Sequence, residues 1–328
     1  MPSKTMNTAT LHINLLTWYQ KNGRHELPWR HTDDAYLIYL SEIMLQQTQV
    51  GTVLERFYFP FLKRFPTLSS IANAPLDDVL KMWQGLGYYT RAKNLHASAR
   101  ICNGTLPDTQ EALDALPGIG KSTSHAILAF GFHQPYPVLE ANVKRIIARV
   151  YALKDPKDKE LWQKAWELLD YDHPYDYNQA MMDIGAMVCT PKTPTCKVCP
   201  FNFTCKGQKT PEHYPQPKKK KVIPHKKKVA LLIQKEGRLG LIQRKERFLH
   251  GLWGFMQRDE KPKEGLLLGN ASHTYSHFKL SVSLFTCKEA VNVDGWFSLK
   301  EMNQLALSKV DEKLLKIVLN SGLSYTED

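Results

Sequence analysis

Apolar and polar residues recur along this chain with two different periods. From about Leu11 to Leu169 the apolar positions return every three or four residues, a spacing that predicts helix after helix. Leu37-Ile-Tyr-Leu-Ser-Glu-Ile-Met-Leu45 and Val143-Lys-Arg-Ile-Ile-Ala-Arg-Val150 carry it most clearly, and Pro66, Pro75, Pro107 and Pro117 punctuate short helices. No alternating strand pattern is visible in this half. From Val229 the pattern turns to strands, in Val229-Ala-Leu-Leu-Ile233, Leu239-Gly-Leu-Ile242 and Lys279-Leu-Ser-Val-Ser-Leu-Phe285, separated by glycine and charged turns. A last helix fits Lys309 to Asn320. Between Pro215 and Lys228 stand three prolines and seven lysines with almost nothing to bury, which reads as an exposed linker. The expected organisation is multi-domain: an all-α domain over residues 1–210, a basic linker over 211–228 and a small α+β domain over 229–328.

A length of 328 residues is enough for two domains with proper cores, and 43% apolar residues is ordinary for a soluble globular protein. No run approaches the ~18 consecutive apolar residues that span a bilayer. The N-terminus lacks the apolar core of a signal peptide. Six cysteines without such a signal point to a reducing compartment, so a cytoplasmic location without membrane contact is expected, and the compact, soluble character of the chain suggests a monomer. The net charge of +12 fits a polyanionic partner, since each phosphate neutralised by Lys or Arg releases counterions. A merely basic surface would give the same figure.

Three local patterns carry candidate chemistry. Cys189, Cys196, Cys199 and Cys205 form C-x6-C-x2-C-x5-C. Four thiolates brought together by so short a segment suit a tetrahedral metal site or a cubane iron–sulfur cluster, although structural zinc more often uses two short hooks and only one is present. Leu116-Pro-Gly-Ile-Gly120 separates two helical segments, the first starting at Asp108 with Glu111 three residues on, a capping-box signal. Gly118 and Gly120 permit a tight turn that leaves the N–H groups of the next helix open to an oxygen anion, though a simple helix–helix turn would use glycine too. Glu42 lies in a markedly apolar stretch. Burial there would raise its pKa and prepare a general acid; on the polar side of an amphipathic helix it would merely face solvent.

Wider stretches decide between these readings. Leu27-Pro-Trp-Arg30, Ser41-Glu-Ile-Met-Leu-Gln-Gln-Thr-Gln-Val50, Trp83-Gln-Gly-Leu-Gly-Tyr-Tyr-Thr-Arg91 and Asn178-Gln-Ala-Met-Met-Asp-Ile-Gly-Ala-Met-Val-Cys189 closely resemble the adenine DNA glycosylase (MutY) family of the endonuclease III, helix-hairpin-helix superfamily. The resemblance covers nearly all of residues 11–206 and, more weakly, the C-terminal domain. It implies an all-α helix-hairpin-helix glycosylase domain with a 4Fe–4S loop held by Cys189, Cys196, Cys199 and Cys205, and a C-terminal α+β Nudix-like domain. The implied substrate is double-stranded DNA with adenine opposite 8-oxoguanine or guanine, and the implied reaction is base excision.

The resemblance also implies roles for single residues. Glu42 would protonate N7 of a flipped-out adenine, and a second carboxylate would stabilise the oxocarbenium-like sugar. The family supplies that carboxylate in Asp-Gly-Asn-Val, where this chain has Glu140-Ala-Asn142-Val143. The extra methylene displaces the carboxylate by roughly 1.5 Å unless it folds back, and glutamate is also a poorer N-cap. Ser122 stands where bifunctional relatives carry a lysine nucleophile, so little strand cleavage is expected. Gln47 and Tyr88 would wedge into the duplex, Thr48 and Leu86 would contact the opposite base, and Leu27, Trp29, Arg30 and Asp183 would line the adenine pocket. His273-Thr-Tyr-Ser-His-Phe278 resembles the family's Phe-Ser-His loop, with Tyr275 for phenylalanine and Ser276 and His277 set to detect the oxidised purine. Gly251-Leu-Trp-Gly-Phe255 is also family-like, and no Arg-Glu-x-x-Glu-Glu run occurs, so nucleotide hydrolysis is not expected. Lys197, Lys206 and Lys209 would touch phosphates. Two rival expectations are a catalytically weak mismatch-binding protein, because of Glu140, and a glycosylase of the same fold with another base specificity.

Overall fold

The computed structural model describes residues 7–217, 222–246 and 248–322. Residues 218–221 of the expected linker therefore lie outside the described residues. In chain order the helices are α1 (Thr8–Asn22), α2 (Ala35–Leu45), α3 (Val50–Val53), α4 (Phe59–Arg64), α5 (Leu68–Ala72), α6 (Leu76–Met82), α7 (Thr90–Ile101), α8 (Gln110–Asp114), α9 (Lys121–Gly131), α10 (Ala141–Tyr151), α11 (Asp158–Leu168), α12 (Pro174–Asp183), α13 (Leu299–Met302) and α14 (Lys309–Leu319). The strands are β1 (His225–Lys235), β2 (Arg238–Gln243), β3 (Trp253–Gly254), β4 (Met256–Arg258), β5 (Leu267–Thr274), β6 (Lys279–Thr286) and β7 (Gly295–Phe297). They gather into two compact units, residues 1–47 with 98–219, and residues 48–97 with 220–328.

In the first unit the apolar stripes of four helices meet. Leu11, Leu15 and Tyr19 of α1 join Ile146, Ile147 and Val150 of α10, Leu161 and Leu168 of α11, and Tyr177 and Met181 of α12. The α10 stripe follows the 3.6-residue period expected of a one-sided helix. In contrast, α2 is buried nearly all round, through Tyr36, Ile38, Tyr39, Leu40, Ser41, Ile43 and Met44, and is capped by Asp34, whose carboxylate accepts from the Tyr36 N–H at 2.8 Å. A carboxylate on α2 is thereby placed among apolar neighbours. The helix expected from Asp108 begins at Gln110 instead, with Thr109 at the cap position and no side-chain cap bond. The Asp108 carbonyl accepts from Gln134 Nε2 at 2.8 Å, a tie to a distant loop that no local motif announces.

The second unit contains a sheet of order β3-β2-β1-β6-β5, with β4 paired to β1 and β7 to β2. The β1–β6 pair is parallel and the other pairs are antiparallel. Successive residues of β1 point to opposite faces: Ala230 and Leu232 pack into one apolar cluster with Val310, Leu314 and Val318 of α14, and Val229, Leu231 and Ile233 into another with Phe285. Cover on both faces is why Val229–Ile233 is apolar without a break. The strand starts four residues before that run, because Lys226, Lys227 and Lys228 stand in register with Leu280, Ser281 and Val282 of β6.

Candidate active site

Glu42 is the one carboxylate on α2. Burial pushes its pKa up, the Glu140 carboxylate adds to the rise, and Arg30 opposes both, leaving it at about 7. Glu42 is half-buried, and Ile43 and Met44 beside it are buried. Glu140 reaches this neighbourhood from the N-cap of α10. Its side chain does fold back: Oε2 accepts from the Asn142 N–H at 2.9 Å and Oε1 from the Val143 N–H at 3.2 Å. Glutamate thus caps the helix with both oxygens, in an extended cap conformation with φ −88° and ψ 177°. The extra methylene, expected to weaken the cap, is accommodated by this fold, with the carboxylate turned back over the two N–H groups.

Arg30 is fixed by Asp183, a residue with 0% exposure. Asp183 accepts from both terminal nitrogens of Arg30 at 2.7 and 2.8 Å, and from the Arg24 N–H and Nε at 2.8 and 2.7 Å. Burial alone would raise the Asp183 pKa, but the bonds and charges of Arg30 and Arg24 outweigh it and hold the carboxyl below its ordinary value. Its oxygens being taken, Asp183 orients Arg30 and presents no surface of its own. Leu27, at the start of the Pro28–Arg30 turn, and Trp29, within it, are both buried. Asn142, the second residue after the cap, accepts from Arg145 at 2.8 Å, and Arg145 also donates to the carbonyls of Gly185 (2.7 Å) and Cys189 (2.8 Å). A Cβ on Gly185 would lie 2.4 Å from the Cβ of Asn142, so only glycine allows this close approach.

The hairpin between α8 and α9 turns through Gly118 at φ +76°, and Gly120 caps α9 with open space around it. Ile119 between them is buried and anchors the turn, while both glycines are exposed. Ser122 sits half-buried in the first turn of α9, and its neighbour Lys121 is turned away, with its ammonium 4.4 Å from the Trp162 ring centroid.

Cys189, Cys196, Cys199 and Cys205 are free and line the walls of one cavity with Ile146, Arg149 and Phe201. Burial raises the Cys199 thiol to about 12 and the Cys205 thiol to about 11. Among the described residues no three His, Cys, Asp or Glu side chains are grouped to hold a single ion. Arg149, only 3% exposed, donates to Cys189 Sγ at 3.3 Å and to the carbonyls of Cys189, Thr190, Pro191, Pro211 and Tyr214. Lys197, Lys206 and Lys209 around this loop are exposed.

The remaining expected residues are divided between the units. Gln47 of the first unit is exposed at φ +57°. In the second, Thr48 is half-buried and Leu86 buried, and Tyr88 at φ +50° is 45% exposed with Arg91 5.5 Å from its ring centroid. A left-handed tyrosine costs about 1 kcal/mol or more, a strain typical of working residues. Tyr88 lines a cavity of about 420 Å³ with Tyr89, Lys93, Phe248, Tyr275, Ser276 and His277. The Tyr275–His277 segment is the β5–β6 turn, closed by the Tyr275 N–H donating to the Phe278 carbonyl at 2.8 Å. Sequence patterns passed over Arg24, Arg145, Arg149, Lys93 and Phe248. Arg149 alone left a local signal, a charged residue among the apolar positions of α10.

Residues 40–170 match the HhH-GPD superfamily of base excision DNA repair proteins, and residues 228–316 match the NUDIX domain. The chain is 34% identical to the adenine DNA glycosylase of Buchnera aphidicola subsp. Schizaphis graminum, over 92% of this chain and 97% of that one. It is 38% identical to the adenine DNA glycosylase of Buchnera aphidicola subsp. Baizongia pistaciae, over 76% and 72%. Among solved structures, a thermostable thymine-DNA glycosylase superposes with a TM-score of 0.56 and 29% identity, covering 61% of this chain and 97% of that one.

Proposed function

We propose that this chain, which belongs to the adenine DNA glycosylase family of base excision repair enzymes, excises adenine mispaired with 8-oxoguanine or guanine and leaves the strand uncut. The observation that carries the reading is the Glu42 carboxyl at about 7 beside the Glu140 carboxylate. A group poised there is protonated in a useful fraction at neutral pH and still a good donor. Glu42 gives its proton to N7 of the extruded adenine, the C1′–N9 bond breaks, and its electron pair leaves with the neutral base. The sugar cation that remains is stabilised by Glu140, whose charge is held in place by the α10 N–H groups. Water adds at C1′, its proton returns to Glu42, and an abasic site results. Arg30, oriented by Asp183, supplies the positive charge that keeps Glu42 from rising further.

Strand cleavage by a lyase step needs a nucleophilic amine. Ser122 has none, and Lys121 packs over Trp162, which supports a monofunctional enzyme. The strained Tyr88 and the Tyr275–His277 turn on one cavity support a reader of the opposite base. Exposed Lys197, Lys206 and Lys209 and the open hairpin glycines support phosphate contacts on duplex DNA. Four thiols spread round a cavity, with Arg149 donating to one sulfur, fit a 4Fe–4S cluster held by Cys189, Cys196, Cys199 and Cys205. Such a cluster, held by the four cysteines, would supply a cross-link that keeps the 189–205 loop in shape. Among the described residues no helix is long and apolar enough to cross a membrane, and the enzyme is read as a cytoplasmic monomer.

A single-turnover assay on a duplex with adenine opposite 8-oxoguanine tests this reading. Adenine release that needs alkali to show a break, and disappears in Glu42→Gln, is the expected result. Tight binding without release would leave only a mismatch binder and overturn it.

A further inference from the structure

We infer that Glu312 is a positioning residue for base discrimination: it ties the turn bearing Tyr88 to α14, so that preference for 8-oxoguanine over guanine opposite adenine depends on it. This rests on the function proposed above. The turn from Gln84 to Tyr89 holds three residues in the left-handed region, Gly85 (φ +98°), Gly87 (+80°) and Tyr88 (+50°). Such a turn keeps its shape only if its surroundings fix it.

Within the turn, Trp83 Nε1 donates to the Gly87 carbonyl at 3.1 Å, and Arg91 donates to the same carbonyl at 3.2 Å. The other ties leave the turn for the C-terminal part of the same unit. Gln84 Nε2 donates to Glu312 Oε1 at 2.9 Å, and the Tyr89 hydroxyl donates to the Leu307 carbonyl at 3.3 Å. Lys81 bridges Gln84 Oε1 (3.0 Å) and the Leu305 carbonyl (3.1 Å). Glu312 is the anionic member of this set. Burial works against its ionisation, yet Lys309, 2.6 Å from Oε2, and Gln84 outweigh that and hold its pKa below the ordinary value. A hydrogen bond to an ionised group is about twice as strong as a neutral one, which makes Glu312–Gln84, like the Lys81 bond to the Leu305 carbonyl, firmer than the neutral Tyr89–Leu307 bond.

The adjacent residue completes the arrangement. Lys313 Nζ donates to the Ser272 carbonyl of β5 at 2.6 Å, and β5 leads directly into Tyr275–His277. One turn of α14 therefore holds both parts of the cavity wall expected to read the opposite base, Tyr88 through Glu312 and the β5–β6 turn through Lys313. Glu312, Tyr88 and Tyr275–His277 all line that cavity.

The test compares single-turnover adenine release from duplexes with 8-oxoguanine and with guanine opposite adenine, alongside thermal melting, in the full chain. Glu312→Ala should lower the ratio of the two rates about tenfold, the loss of one hydrogen bond to a charged group. Gln84→Ala, which also loses the bond from Lys81, should lower it at least as much, and the double variant no further than Gln84→Ala, because both remove the Gln84–Glu312 tie. Glu312→Gln, whose carbonyl still accepts from Gln84, should keep most of the ratio. A general loss of structure would lower both rates together and leave the ratio alone. An unchanged ratio, or losses that add in the double variant, overturns the inference. If Glu312→Ala does not fold, Gln84→Ala decides it. A parent enzyme that releases adenine equally from both duplexes overturns this inference alone, whereas one that releases adenine from neither overturns the function proposed above, and this inference with it.

Discussion

Replacing Glu42 by glutamine should abolish adenine release and yet stabilise the protein, by an amount that depends on pH. An ordinary glutamic acid titrates at 4.5, and burial beside Glu140 raises Glu42 to about 7. Between those values the folded chain binds a proton that the unfolded chain has lost. The stability of the parent therefore falls as pH rises from about 4.5 to about 7, and is level beyond. Every tenfold change in proton affinity is worth about 1.4 kcal/mol, so the full change is about 3 kcal/mol. Glutamine carries no charge at any pH and escapes this loss. Melting of parent and Glu42→Gln at pH 4.5 and pH 8 should show the variant gaining about 3 kcal/mol on the parent between the two. Adenine release by the parent should be flat below about pH 6 and drop tenfold per pH unit above about 7, because only the protonated acid is competent. Equal melting differences at both pH values would mean that Glu42 is not desolvated, and the general-acid role would go with it.

Glu140→Gln keeps an oxygen able to cap α10 but removes the charge that raises Glu42, so the fall of activity with pH should begin at lower pH while adenine release drops at least tenfold; a pH–rate profile checks both. Asp183→Asn leaves the buried Arg30 without its charged partner and should cost about 3–5 kcal/mol in chemical denaturation. Gly185→Ala would place a methyl 2.4 Å from the Asn142 Cβ, costing about 1–3 kcal/mol and shifting the turn that holds Glu140. Its adenine release should fall further than its melting temperature alone would explain.

Helix α10 was legible in the sequence because it buries one regular face, which leaves a period, whereas α2 and β1, covered nearly all round, showed as apolar runs and the Pro117–Gly120 hairpin by its glycines. Strand β5 left no such signal. Its residues alternate poorly between exposed and buried, and it carries Gly269 and Asn270 at the edge of the sheet. The extent of β1 is hidden in the sequence for a related reason. Lys226 and Lys227 are exposed and Lys228 is half-buried, and their place in the ladder is decided by β6, more than fifty residues away. In the candidate site, Glu42 and Glu140 were visible as residue types in motif positions, and the structure adds that the longer Glu140 side chain folds back onto Asn142 and Val143. The arginines were harder to see. Arg24, Arg145 and Arg149 act through carbonyls and carboxylates brought to them by the fold, and for Arg24 and Arg145 nothing in the local sequence distinguishes them from surface charge.

The second compact unit is assembled from two stretches of chain, residues 48–97 and 220–328, interrupted by most of the first. No single cut in the backbone can release it whole. A C-terminal fragment starting at Val229 would lose the first four residues of β1 together with their pairing to β6, and would leave Gln84, Tyr89 and Lys93 behind. For the same reason, exchanging the C-terminal domain for that of a relative would not transfer a self-sufficient module. The graft would meet the host's own residues 81–93, and activity should return only when that segment is exchanged along with it.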